Sequence, residues 1–166
     1  MESTIEELYL EAEADFKNNA FTEAFRKYET ILYEQPDHAP SHNSLGWLYK
    51  NQFDDYAKAE NHFLTAIKGD PNYPHPYYHY ATLLTDLERF ADLKKHLAIC
   101  LNVAVLEKGW IYEKMGIAEE MKLNFEAAIK HYQTAILHSL KDDKIKDFQA
   151  DIDRCQLKLG LQKEIA

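Results

Sequence analysis

The apolar positions of the chain recur on a fixed grid. In "FTEAFRKYETILYEQP" they fall at Phe21, Ala24, Tyr28 and Ile31, and Pro36 closes the stretch. In "YAKAENHFLTAIKGDP" they fall at Tyr56, Ala59, Phe63 and Ala66, closed by Pro71. The order returns as Phe90, Leu93, Leu97 and Cys100 in "FADLKKHLAICL", and as Phe125, Ala128, Tyr132 and Ala135 in "FEAAIKHYQTAI". Steps of three or four residues bring such groups onto one face of an α-helix. The lead aromatics Phe21, Tyr56, Phe90 and Phe125 are separated by 35, 34 and 35 residues. A second segment of helical period precedes each: "LYLEAEAD", "HNSLGWLY", "YYHYATLL" and "YEKMGIAE". The grid therefore predicts eight helices in four antiparallel pairs and no sheet.

The punctuation agrees with this division. Pro36 and Pro71 end helices, because proline lacks the N–H and clashes with the preceding turn. Ser3-x-x-Glu6 reads as a capping box opening the first helix, and Asn124 as the N-cap of the last paired helix. Beyond residue 142 the stripe Ile145, Phe148, Ile152, Cys155 and Leu159 runs along an otherwise charged segment. Asp142 and Asp143 suit the positive end of such a helix.

These residues resemble the tetratricopeptide repeat, a helix–turn–helix unit of about 34 residues with the pattern W-x2-L-G-x2-Y, A-x3-F, P. The second copy matches best, with Leu45, Gly46, Tyr49, Ala59, Phe63 and Pro71, and with His42 where tryptophan is usual. The resemblance covers about residues 5–142, in units of roughly 5–38, 39–73, 74–108 and 109–142. It departs at Glu11, Leu93, Glu119 and Leu140, and the third unit lacks a closing proline. The implied fold is an all-α, right-handed α-α superhelix of four repeats. Residues 143–166 would be a capping helix within a single domain. Small residues at Ala12, Gly46, Ala81 and Gly116 would let paired helices cross, with Ala24, Ala59 and Ala128 as partner notches. Tyr28, Phe63 and Tyr132 would fill the space towards the next unit.

Composition narrows the function. The chain has 166 residues, 46% hydrophobic and 28% charged, with a net charge of −9. An acidic chain gains little from phosphate backbones, so nucleic acid is not expected as a partner. No apolar run reaches the ~20 residues of a membrane span. The acidic N-terminus does not read as a signal peptide, so the expected location is cytoplasmic. Cys100 and Cys155 are too isolated for a disulfide framework or a zinc knuckle. Motifs of nucleophile elbows, phosphate loops and dinucleotide sites are missing, and no enzyme and no cofactor are expected.

The stretch "PNYPHPYYHYATLL" crowds His75 and His79 at i, i+4. Two histidines alone do not make a metal site. Tyr77 and Tyr80 read as packing residues, and His62, His96, His131 and His138 as solvent-facing. The resemblance implies a concave groove lined by the first helix of each unit, presenting Tyr9, Glu13, Asn43, Trp47, Tyr78, His79, Trp110 and Glu113. Exposed rings beside adaptable polar groups are the composition of a peptide-binding surface. Alternatively, Trp47 and Trp110 pack against neighbouring helices. Some members of the family clamp an acidic C-terminus with lysine, asparagine and arginine. Tyr9, Glu13, Ser44, His75 and His79 stand in those places, and Glu13 would repel such a tail. The expected function is a protein-interaction scaffold holding a neutral or basic segment. The alternatives are a self-associating homodimer and, more distantly, a metal-binding protein using His75 and His79.

Overall fold

The structure is a computed structural model and describes residues 4–165. Among these residues the regular structure is nine α-helices: α1 (Ile5–Lys17), α2 (Phe21–Glu34), α3 (Ala39–Asn51), α4 (Tyr56–Gly69), α5 (His75–Asp86), α6 (Phe90–Cys100), α7 (Lys108–Met121), α8 (Phe125–Leu137) and α9 (Asp142–Ile165). Each lead aromatic of the sequence grid is the first residue of α2, α4, α6 or α8. The chain divides into two compact units, one ending at Leu83 and one beginning at Leu84.

The turn inside each pair is built in one way. Asn19, Asp54, Glu88 and Leu123 all have positive φ, between 51° and 62°. Each stands two residues before its lead aromatic, so the left-handed residue repeats with the chain's own period. Side chains disfavour this region, asparagine and aspartate least. The first two turns meet that demand; Glu88 and Leu123 do not.

In the first unit, Ala12, Ala24, Tyr28, Leu45 and Leu48 form a buried cluster, with Phe16, Phe21, Phe25, Trp47 and Tyr49 packed around it. Gly46 of α3 lies directly against the Phe63 ring of α4, and Ala59 is fully buried on the same helix. The first residues of α5 close this unit. Tyr80 donates to Glu60 Oε1 at 2.7 Å and Tyr77 to the Pro71 carbonyl at 3.1 Å. Pro36 and Pro71 each follow a C-cap residue, Gln35 and Asp70.

In the second unit Gly116 of α7 lies against the Tyr132 ring of α8 as Gly46 does against Phe63. Leu93, Leu97 and Cys100 are buried on α6, so the third copy fills its alanine notch with leucine. Helix α9 lays Ile152 and Cys155 on Phe125, Ala128 and Tyr132 of α8. Charge reinforces that contact. The buried Glu120 of α7 accepts from Arg154 Nε at 2.8 Å and Nη2 at 2.6 Å, from Lys158 Nζ at 2.7 Å and from Tyr132 Oη at 2.9 Å. These bonds hold its carboxyl well below the usual range, the Arg154 bond contributing most.

Several local expectations need correction. Ser3 lies outside the described residues, and α1 is capped one step later. Thr4 accepts from the Glu7 amide at 3.2 Å, while its own amide donates to Glu7 at 2.8 Å. Asn124 occupies the N-cap of α8, but its side chain caps nothing and donates instead to Glu119. His96 is not at solvent; it is 6% exposed and its Nε2 lies 3.5 Å from the Cys100 sulfur. His62 is half-buried, stacks on Tyr49 and sits with Nδ1 2.9 Å from His42 Nδ1. Leu140, which stands where the repeat pattern has its closing proline, is 99% exposed.

Candidate functional site

Among the expected groove residues, Tyr9, Glu13, Asn43, Trp47 and His79 meet at one pocket in the first unit. It has a volume of about 400 Å³, and Phe16, Ser44, Tyr73 and His75 complete its lining. Helices α1, α3 and α5 each contribute, because residues i and i+4 or i+3 of a helix share a face. On α1 the face is Tyr9, Glu13 and Phe16; on α3 it is Asn43, Ser44 and Trp47; on α5 it is His75 and His79. Tyr78 lies half-buried on α5 and does not line this pocket.

The lining side chains are fixed from behind. Glu13 Oε1 accepts from Tyr28 Oη at 2.6 Å and from Ser44 Oγ at 3.0 Å. Trp47 meets the Phe16 ring edge-on at 4.8 Å and the Phe21 ring at 6.1 Å. It therefore lines the pocket and also packs in the cluster. Tyr9 contacts the Tyr28 and His38 rings at 6.1 Å and 5.3 Å. Asn43 is buried rather than presented, and its Oδ1 lies 2.9 Å from His79 Nδ1. His75 is exposed, with its ring 5.1 Å from Tyr73.

The electrostatics favour neutral rings around one carboxylate. Burial, then the charge of Glu13, pushes the Tyr9 phenol up, and burial raises Tyr73 as well. Burial, with His75 and Lys50 nearby, pulls His79 down to about 4, so it stays neutral at ordinary pH. The pH-sensitive contact that a histidine suggests is therefore not expected of this residue.

Trp110 and Glu113 belong to a different hollow, in the second unit, of about 320 Å³. Gly109 and His138 line it, as do Leu140, Lys144 and Phe148 around the start of α9. Burial raises the Glu113 carboxyl. Sequence reasoning missed Phe16 and Tyr73 in the first pocket. Phe16 follows Glu13 by three residues and could have been found by continuing the α1 stripe. Tyr73 sits in the turn before α5, where helical periodicity is silent.

Among the described residues, no group of three or more histidine, cysteine or acidic side chains could hold a metal ion. None of their helices is long and apolar enough to cross a membrane.

No protein-family model and no curated protein matches the sequence. Solved structures do match in three dimensions. A fragment of MamA from Desulfovibrio magneticus RS-1 superimposes with a TM-score of 0.70 at 15% identity, covering 99% of this chain and 96% of that one. TTC0263, a thermophilic TPR protein of Thermus thermophilus, gives 0.67 at 15% identity, covering 93% and 82%. PilW, a type IV pilus biogenesis factor, gives 0.67 at 16% identity, covering 98% and 76%. Identity this low speaks for the backbone alone. Helices in consecutive pairs, a period of 34–35 residues and these neighbours lead to one conclusion: the chain has the all-α fold of the tetratricopeptide-repeat solenoids.

Proposed function

We propose that the chain is a non-catalytic interaction module that holds an extended, neutral or basic segment of a partner protein against the pocket of α1, α3 and α5. The observation that carries this reading is the convergence of rings and polar groups from three helices on one pre-fixed pocket. Side chains already held by neighbours lose little freedom on binding, which leaves more of the contact energy as affinity. Aromatic anchors of this kind commonly dominate an interface.

The test is selection of a displayed library of 12-residue peptides on the full chain. Selected neutral or basic peptides should bind at least tenfold more weakly to His75→Ala and Trp47→Phe. Both variants should keep their melting point within a few degrees, since His75 is exposed and phenylalanine retains much of the ring packing. Failure to select any peptide, or binding by both variants as tight as by the parent, overturns the proposal. Trp47→Ala is the poorer probe, because it also removes packing from Phe16 and Phe21.

A second reading, self-association, draws on α9. Leu157, Leu161 and Ile165 follow one another at i+4 and are 66%, 52% and 86% exposed. Light scattering over a concentration series tests it: a monomer throughout excludes a dimer through this stripe.

A further inference from the structure

We infer that the pocket of the first unit receives a single cation, the ammonium or guanidinium end of a lysine or arginine side chain. The inference rests on the peptide-holding reading above and names the chemistry of the group that seats there. Among the described residues lining the pocket, Glu13 is the one carboxylate, and no lysine or arginine accompanies it. Its donors are neutral: the Tyr28 and Ser44 hydroxyls hold Oε1 at 2.6 Å and 3.0 Å without cancelling the charge. The carboxylate is thus oriented but not neutralised from within the pocket.

The rest of the wall suits the same guest. Tyr9, Phe16, Trp47 and Tyr73 line it, and a cation within about 6 Å of such a ring is attracted by its electron-rich face. Asn43 and Ser44 are uncharged, and burial keeps His79 neutral, so none of these three adds a competing positive charge. Lys50 acts on His79 from outside the lining. An anionic guest would meet Glu13 with no cation to offset it. A purely apolar guest would strip water from Glu13 and offer nothing in return. A cation on an apolar stem satisfies both the carboxylate and the rings.

The probe is n-butylammonium, with n-butanol and butyrate as neutral and anionic counterparts, read by Trp47 emission in a Trp110→Phe background. n-Butylammonium should give a saturable change, while the other two give none over the same concentrations. Glu13→Gln should weaken the response at least tenfold. Because Glu13 also holds Tyr28 and Ser44, a second variant, His75→Lys, places a positive charge at an exposed wall position and should weaken it similarly without touching the core. Equal response to n-butanol, preference for butyrate, or unchanged affinity in both variants overturns the inference. Its failure is distinguishable from failure of the wider reading. Peptides selected through Trp47 but lacking lysine and arginine would remove the cation and keep the peptide. n-Butylammonium binding with no peptide selected would do the reverse.

Discussion

A β-carbon added to Gly46 would stand 2.6 Å from Cε1 of Phe63, closer than any relaxed contact. Gly116 stands in the same relation to Tyr132, also at 2.6 Å. Both rings are fully buried. Alanine at either glycine would gain about 1 kcal/mol of helix propensity. It would lose about 1–3 kcal/mol to overpacking. We expect Gly46→Ala to lower the urea midpoint, and Gly46→Ala with Phe63→Leu to recover part of the loss. A raised midpoint in the single variant would mean that the crossing has room for a side chain at Gly46.

Leu123 carries a φ of 62° with an exposed side chain. The left-handed region costs an ordinary residue about 1–2 kcal/mol, and asparagine less. Leu123→Asn should therefore raise stability by roughly 0.5–1 kcal/mol. Asn19→Leu, at the equivalent turn, should lower it by a similar amount. Thermal unfolding of the two variants checks the pair; effects of the same sign would contradict it.

His79 and His62 are both pulled down to about 4, in each case mainly by burial. Their neutral forms are favoured in the folded chain. Protonation favours unfolding, so this contribution to stability is complete above about 6.5 and is lost as the pH falls from 6.5 towards 4. Imidazole proton resonances of both residues should stay flat from pH 8 to 5.5 in the folded protein. A midpoint near 6.5 for either would show that its ring is wetter than the structure makes it.

Glu120 joins α7, α8 and α9 through a single carboxyl group. Its folded pKa is depressed, so its contribution is present above the ordinary glutamate value of 4.5 and is lost as the pH falls below it. Glu120→Gln should cost about 1–2 kcal/mol at neutral pH, less than a fully buried ion pair because Arg154 and Lys158 are nearly half exposed. It should also flatten the loss of stability below pH 4.5. A variant as acid-sensitive as the parent would assign that loss to other carboxylates.

The helices are legible in the sequence because burial repeats. Phe21, Tyr56, Phe90 and Phe125 mark four helix starts, and their spacing needs no knowledge of contacts. Polar relationships are not legible in the same way. Glu120 meets Arg154, 34 positions later, through a distance that no local pattern encodes. His96 reads as solvent-facing from the sequence, yet it is buried. The candidate pocket falls between these cases. Tyr9, Glu13, Asn43, Trp47 and His79 can be placed because the repeat resemblance implies which helix face lines the groove, and Tyr73 cannot because it precedes a helix. Projection also gives no sign that Asn43 turns inward to His79.

Both cysteines of the chain belong to the second unit, and both are buried. Burial pushes the Cys100 thiol up to about 12 and the Cys155 thiol up to about 11, so neither is a ready nucleophile while the fold is closed. The molecule thereby carries its own pair of clocks. A thiol reagent keeps time for excursions of the second unit, and Trp47, with Trp110 silenced, keeps time for the first. Rates that agree would describe one cooperative body; rates that part would describe two halves that breathe at their own pace.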